Sequence, residues 1–293
     1  MEKYAIVRDD DPNFFTSTKT IEVVYNELFS LNVPVSSSVI PCVETGLKLK
    51  NAMFHGNYIE YEPFVPEKYR SVNQQFAVYE NRELVEFLTN SKDQLNIVQH
   101  GFSHSPHEFS SINLGRLNKK VLLGRKILKK AFGETPEFFS APYDIYSPVS
   151  LLLVQRYFHG ATFGEMKLRT MLSPKFGLRL PPYMVPSYLR ASNLDRVFCF
   201  SGGFLLLGYD DVTYINPFEN SNTSNYAFKE YVKAHQVVVI ALHHWEFFYD
   251  KERRIVGERV DKTALESFIE KIRLLKDMGF RFLTTSQFYD KLS

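Results

Sequence analysis

The residues Tyr4-Ala5-Ile6-Val7-Arg8-Asp9-Asp10-Asp11 decide the fold, because a short apolar strand, predicted at Tyr4–Val7, runs there into a cluster of aspartates. The same arrangement recurs twice along the chain. A strand predicted at Leu95–Gln99 leads into His100-Gly101-Phe102-Ser103-His104, and a strand predicted at Val237–Leu242 leads into His243-His244. Catalytic side chains of parallel barrels emerge at the carboxyl ends of the strands, so these polar clusters are candidates for one site.

Amphipathic helical patterns separate the predicted strands, and this alternation is typical of parallel strands joined by helical crossovers. Helices are predicted at Thr18–Leu31, Asn81–Leu88, Leu114–Phe132, Pro148–Phe158, Tyr226–His235, Asp261–Met278 and Ser286–Leu292. Further strands are predicted at Val35–Pro41, Phe138–Ala141, Ala161–Phe163, Val197–Phe200, Phe204–Leu207 and Arg281–Thr284. Residues 44 to 80 lack a clear period but stay rich in apolar side chains, which predicts an ordered insertion over one barrel end. No internal repeat or linker divides the chain, so residues 1–293 are interpreted as one α/β barrel domain.

Composition narrows the classes of function. The 293 residues carry 35 Lys+Arg against 33 Asp+Glu, and this near balance gives no reason to expect a nucleic-acid partner. The longest wholly apolar run, Val237–Leu242, is far shorter than the roughly 18 residues that a membrane span needs. The first residues lack the pattern of a secretory signal, which predicts a cytoplasmic protein. The two cysteines, Cys42 and Cys199, have neither disulfide-framework nor zinc-thiolate spacing.

The polar clusters together offer the ligands of a divalent metal. One carboxylate and two histidines are a usual set for a hydrolytic metal ion. If the chain turns helically after its strand, His100 and His104 lie on one face and reach one ion; the alternative is a surface or hydrogen-bonded pair. The three aspartates repel one another unless a cation or Arg8 compensates them; the alternative is a helix cap or a solvated turn.

The strand ending in His243-His244 leaves a further choice open. At least one of the two histidines is expected to point into the site while the other packs sideways, and the alternative is a purely structural pair.

Taken in order, these motifs resemble the polysaccharide deacetylase superfamily, metal-dependent N-deacetylases built on an irregular barrel of about seven β/α units. The resemblance runs from Tyr4 to the end of the chain. It rests on Asp9-Asp10-Asp11-Pro12, His100-Gly101-Phe102-Ser103-His104, Phe139-Ser140-Ala141-Pro142-Tyr143, Leu242-His243-His244 and the ending Gly279-Phe280-Arg281-Phe282-Leu283-Thr284. The fold that it implies is an irregular (β/α)7 barrel.

The resemblance also implies roles for individual residues. Asp10 would be the general base and Asp11 a metal ligand; in the other possible register Asp9 is the base and Asp10 the ligand. His100 and His104 would be the remaining metal ligands. A main-chain N–H near Tyr143 would help to hold the oxyanion.

The late motif and one departure from the family complete the implied site. His243 or His244 would be the general acid. Ser140 stands where the family often has an arginine that orients the base, and Arg8 is a candidate replacement.

The implied function is that of a hydrolase with one divalent metal ion, zinc or alternatively nickel or cobalt. It would remove an N-acetyl group from an amino sugar or from a sugar-containing precursor of a surface glycan. Two alternatives stay open: a catalytically silent carbohydrate- or metal-binding member of the same fold, and an amide hydrolase that acts on a non-sugar substrate. The motifs do not fix the oligomeric state.

Overall fold

A computed structural model of the chain describes residues 2–49, 52–54, 57–164, 197–199, 203–209, 212–215 and 225–292. The strands are β1 (Lys3–Asp10), β2 (Val35–Val39), β3 (Cys42–Glu44), β4 (Ala52–Phe54), β5 (Asn57–Ile59), β6 (Gln75–Ala77), β7 (Leu95–His100), β8 (Phe138–Ser140), β9 (Gly160–Gly164), β10 (Val197–Cys199), β11 (Leu205–Tyr209), β12 (Tyr214–Ile215), β13 (Val237–Leu242), β14 (Tyr249–Asp250), β15 (Ile255–Val256) and β16 (Phe280–Phe282). The α-helices are α1 (Thr18–Ser30), α2 (Glu67–Arg70), α3 (Arg82–Asn90), α4 (Leu114–Phe132), α5 (Pro148–Tyr157), α6 (Asn225–Lys233), α7 (Lys262–Asp277) and α8 (Thr285–Leu292). None of these helices is long and apolar enough to cross a membrane.

Ten strands form one sheet in the order β10-β11-β9-β8-β7-β2-β1-β13-β12, with β16 also paired to β1. Every pair in this sheet is parallel except β10 with β11. Strands β11 and β13 also contact each other, so the sheet curves round into a nearly closed barrel. The prediction of an α/β barrel with helical crossovers is therefore confirmed.

Alternate side chains of each strand point to opposite faces of the sheet, which separates the barrel interior from the helical layer. The interior is filled at one end by a buried apolar cluster to which five sheet strands contribute Tyr4, Ile6, Val98, Phe138, Leu205, Leu207, Val237 and Val239. The intervening residues pack outward against the helices; Ala5 and Val7, for example, join Ile21 and Val24 of α1. Parity along β1 thus places Arg8 and Asp10 inside the barrel and Asp9 outside.

The carboxyl-terminal half of the interior is polar. Its buried side chains come from five neighbouring strands, and those of β1, β7 and β8 continue the inward-facing positions of the apolar cluster: Arg8, Ser38, His100, Ser140 and Thr162. Strand β1 accordingly extends to Asp10, three residues beyond the predicted Val7, because its polar end is sheet-bonded to β2 and β13.

The two ends of the barrel are covered differently. At the amino-terminal end Phe288 of α8 packs against Tyr4, with ring centroids 5.5 Å apart. At the carboxyl end lies the predicted insertion, whose described part contains α2 and two antiparallel pairs, β3 with β6 and β4 with β5. Its Phe64 contacts both His104 and Trp245, so the insertion covers the end of the barrel at which the polar clusters meet.

Candidate active site

Asp11, His100 and His104 come together at the carboxyl end of the barrel. Oδ1 of Asp11 lies 3.2 Å from Nε2 of His100 and 3.1 Å from Nε2 of His104. The three residues are buried, and their ligand atoms all lie within 4.8 Å of one another. Such a cluster has the spacing of ligands around a single ion.

A loop, and not the helical turn on which the sequence argument was conditional, follows the strand and brings the two histidines together. Residues 101–104 form a loop in which Gly101 and His104 have positive φ angles of 55° and 58°. A Cβ atom on Gly101 would lie 2.5 Å from the Pro142 ring, so a larger residue does not fit. Asp11 also has a positive φ, 72°, which turns its carboxylate away from the direction that strand parity would give it.

Glu108 stabilises this loop. Its buried carboxylate accepts hydrogen bonds from the main-chain N–H groups of Phe102 and Ser103, at 2.9 and 3.1 Å, and from the Ser103 hydroxyl. Lys120 of α4 lies 2.6 Å from the same carboxylate and balances its charge. This role of Glu108 was not predicted, because the residue lies in a segment without periodicity.

Both candidate ligand histidines are oriented through their Nδ1 atoms. Nδ1 of His100 is 2.7 Å from the Ser140 hydroxyl, and Nδ1 of His104 is 3.0 Å from Oε1 of Glu62 in the insertion. An ionised carboxylate only accepts hydrogen bonds, so His104 carries a proton on Nδ1 and turns Nε2 toward Asp11. A histidine that binds a metal is usually held by a second partner in this way.

The cluster fits a divalent cation. Oδ1 of Asp11 is buried and makes no hydrogen bond within the described ranges, although two Nε2 atoms flank it. Burial opposes the negative charge, but His104 and His243 outweigh it and hold the pKa of the Asp11 carboxyl well below its usual range. One oxygen and two imidazole nitrogens match the donors that zinc and neighbouring transition metals prefer.

Arg8 and Asp10 form a buried ion pair beside this cluster. Nη2 of Arg8 lies 2.5 Å from Oδ2 of Asp10 and 3.4 Å from Oδ1 of Asp144, while Nη1 donates to Thr162 at 2.6 Å. Burial disfavours the charge of Arg8, but the two carboxylates more than offset this and raise the pKa of the guanidinium. Oδ1 of Asp10 is buried and has no hydrogen-bond partner among the described residues, so one oxygen of this carboxylate is left to act on a ligand.

Asp9 and His244 form a separate pair on the helical side of the sheet. Oδ1 of Asp9 accepts the main-chain N–H of His244 at 2.8 Å, and Oδ2 lies 2.9 Å from both the Tyr25 hydroxyl and Nδ1 of His244. Both side chains are almost fully buried. The structure therefore brings Asp10 and Asp11, but neither Asp9 nor His244, toward the two ligand histidines.

His243 lies at the cluster, with Nε2 3.6 Å from Oδ2 of Asp11. Its Nδ1 is 3.0 Å from Oε1 of Glu246 and 2.8 Å from the Tyr214 hydroxyl. Burial opposes protonation, but Asp11 and Glu246 outweigh it and raise the pKa of His243 to about 10. The sequence analysis missed Glu246 and Tyr214. Glu246 follows His243 by three residues, and it reaches the histidine because a helical turn follows the strand.

Tyr143 borders the same cluster. Its φ angle is 57°, and its ring lies 4.9 Å from that of His104. Its hydroxyl donates a hydrogen bond to Glu62, and burial together with this carboxylate raises the pKa of the phenol. Glu62 was also missed, since the insertion has no period from which a facing side chain is predicted.

Comparison with known proteins identifies the fold of the chain. No protein-family model matches the chain, and no curated protein matches it in sequence. A solved structure named as that of a polysaccharide deacetylase from Mycobacterium smegmatis is similar, with a TM-score of 0.56 and 10% identity over 99% of this chain and 91% of that one. A family 4 acetyl xylan esterase from Clostridium thermocellum, solved with a cobalt ion, has a TM-score of 0.52 and 13% identity over 99% and 91%.

A CE4 pseudoenzyme from Bacillus anthracis has a TM-score of 0.52 and 8% identity, over 99% of this chain and 66% of that one. The chain thus has the fold of the CE4 polysaccharide deacetylases and esterases, as the order of its motifs predicted.

Proposed function

We propose that the protein is a metal-dependent deacetylase that hydrolyses the N-acetyl group of an amino sugar or of a sugar-containing glycan precursor. The observation that supports this most strongly is the meeting of Asp11, His100 and His104 beside a carboxylate, Asp10, that has one unpartnered oxygen. A family 4 esterase of the same fold holds a cobalt ion. In this proposal Asp11, His100 and His104 hold the divalent cation, which is zinc, nickel or cobalt.

When bound, a divalent cation polarises an acetamide carbonyl and lowers the pKa of water. Asp10 is the general base: Oδ1 takes a proton from the attacking water while Arg8 holds Oδ2 in place. In this proposal Arg8, on β1, orients the base, which is the role of the family arginine whose position in the third motif is taken by Ser140. Ser140 instead orients His100.

The other two roles concern the tetrahedral intermediate and the departing amine. The main-chain N–H of Tyr143, a residue whose ring lies 4.9 Å from that of His104, is the proposed hydrogen-bond donor to the oxyanion. His243 is the proposed general acid, because Glu246 and Tyr214 hold its Nδ1 while Nε2 faces the cluster. Its raised pKa keeps it protonated at neutral pH, so it has a proton to donate.

The test is acetate release from N-acetylglucosamine oligomers and from a non-sugar acetamide, by metal-loaded and by chelator-treated protein. We expect release from the sugar substrate, its loss with the chelator, and its loss in the Asp11→Asn and His104→Gln variants. Activity that survives both variants would refute the metal site. Sugar binding without acetate release would identify a silent member of the fold, and preferential hydrolysis of the non-sugar acetamide would identify a different substrate class.

A further inference from the structure

Glu62 is a charged residue of the insertion that lies directly behind a candidate metal ligand. Its side chain is 16% exposed, and one oxygen, Oε1, contacts two groups of the barrel at once. That oxygen lies 3.0 Å from Nδ1 of His104 and accepts the hydroxyl of Tyr143. These contacts join the insertion, the second motif and the third motif at a single atom.

The contact with His104 determines which nitrogen of this ring faces the cluster. With Nδ1 directed at Glu62, His104 presents Nε2 toward Asp11, 3.1 Å away. Phe64 of the same insertion packs edge-on against the ring at a centroid distance of 5.5 Å. The ring is therefore held by a charged hydrogen-bond acceptor and by an aromatic wall, both supplied by the insertion.

The two candidate ligand histidines differ in this respect. His100 is oriented by a neutral hydroxyl, that of Ser140. His104 is oriented by a carboxylate, which makes its imidazole the stronger electron donor of the two.

The contact with Tyr143 extends the effect of Glu62 to the proposed oxyanion donor. Tyr143 and the following Asp144 both have positive φ angles, 57° and 54°, a conformation that costs energy for residues other than glycine. The hydroxyl of Tyr143 is tied to Glu62 at one end of the side chain, so this hydrogen bond helps to keep the strained backbone in place. His104 has a positive φ as well, so Glu62 binds two side chains whose backbones both need support.

We propose that Glu62 is a positioning residue of the active site, through which the insertion fixes the ligand nitrogen of His104 and the main chain at Tyr143. The inference rests on the proposed function for the presence of a metal at Asp11, His100 and His104. It assigns to the insertion a part in catalysis beyond covering the barrel end.

Metal affinity provides the first test, measured by calorimetric titration of the metal-free full chain with Zn²⁺ and by the absorption spectrum of bound Co²⁺. Glu62→Gln preserves shape and a carbonyl acceptor but removes the charge, and we expect affinity to fall by about 10- to 100-fold, the usual effect of removing such a partner. Glu60→Gln is the matched control, because Glu60 is exposed, pairs with Lys48 and belongs to the same insertion. It should leave both readouts unchanged.

Activity at saturating metal provides the second test. Glu62→Gln and Tyr143→Phe should both lower kcat with little change in KM, because the oxyanion donor acts in the transition state, and Glu62→Asp should recover part of the Zn²⁺ affinity. Unchanged affinity in Glu62→Gln, with wild-type protein that binds Zn²⁺, would overturn the positioning role alone. Wild-type protein that binds no divalent metal would overturn the proposed function itself, and thermal melts identify any variant that fails to fold.

Discussion

Replacing Arg8 by methionine should destabilise the protein strongly, because it leaves the carboxylates of Asp10 and Asp144 buried without a counter-charge. Arg8 is 1% exposed, lies 2.5 Å from Asp10 and 3.4 Å from Asp144, and carries its guanidinium 4.8 Å from the centroid of the Tyr209 ring. Removing one partner of a buried ion pair costs about 3–5 kcal/mol, since the remaining charge stays in a region of low dielectric constant.

That cost is large enough to measure by thermal unfolding. For a chain of this size 1 kcal/mol corresponds to about 2–4 °C in Tm, so Arg8→Met is expected to unfold about 6–20 °C below the wild type. Arg8→Lys keeps the charge but not the planar fork that reaches Asp10 and Thr162 together, and it should lie between the two.

The control is Arg281→Met, the same substitution at an exposed position of β16, which pairs with β1. It should change the free energy of unfolding by no more than about 0.5 kcal/mol. Equal Tm values for Arg8→Met and Arg281→Met, measured by calorimetry on metal-free protein, would refute the view that Arg8 compensates the aspartate cluster.

Three further outcomes follow from the site. Asp10→Asn should lower acetate release by about 10²- to 10⁴-fold, the usual contribution of a general base. Asp9→Asn should lower mainly Tm, because Asp9 binds Tyr25 and His244. Equal rate losses in the two variants would contradict the assignment of Asp10 as the base. In metal-free protein the stability that His243 contributes is fully present below about pH 6.5 and is lost as the pH rises through its folded pKa of about 10. The Tm values of wild type and His243→Gln should therefore differ most near pH 6 and converge above pH 10. A Tm difference that does not vary with pH would exclude this charge effect. Ser140→Ala should weaken Zn²⁺ binding about 10-fold in calorimetric titrations through its bond to His100, and an unchanged affinity would remove Ser140 from the site.

The barrel could be predicted from the sequence because its strands and crossover helices differ in hydrophobic period. The ends of the strands were less predictable. The sequence at Arg8, Asp9 and Asp10 looks like the start of a loop, yet these residues belong to β1. The carboxyl-terminal half of the barrel interior is polar, so a charged strand end finds polar partners there.

The choice between neighbouring site residues was open for a related reason. Every residue of Val237–Leu242 is apolar, since one face packs into the barrel and the other against helices. Such a run has no polar side to indicate direction, so the sequence does not tell whether His243 or His244 faces inward. The residues that hold the site, Glu62 and Glu108, come from irregular segments whose contacts depend on the complete fold.

The three consecutive aspartates are tolerated because the backbone gives each a different environment. Strand parity sends Asp9 outward to His244 and Tyr25 and Asp10 inward to Arg8, and the positive φ of Asp11 turns its carboxylate to the two ligand histidines. Asp9 and Asp10 each have hydrogen-bond donors in fixed positions, one of them a permanent cation. Asp11 accepts a hydrogen bond from Trp245 on Oδ2 but faces with Oδ1 two imidazoles whose charge depends on protonation. The donor set that a divalent cation needs, one carboxylate oxygen and two imidazole nitrogens, is therefore gathered at Asp11 and not at Asp9 or Asp10.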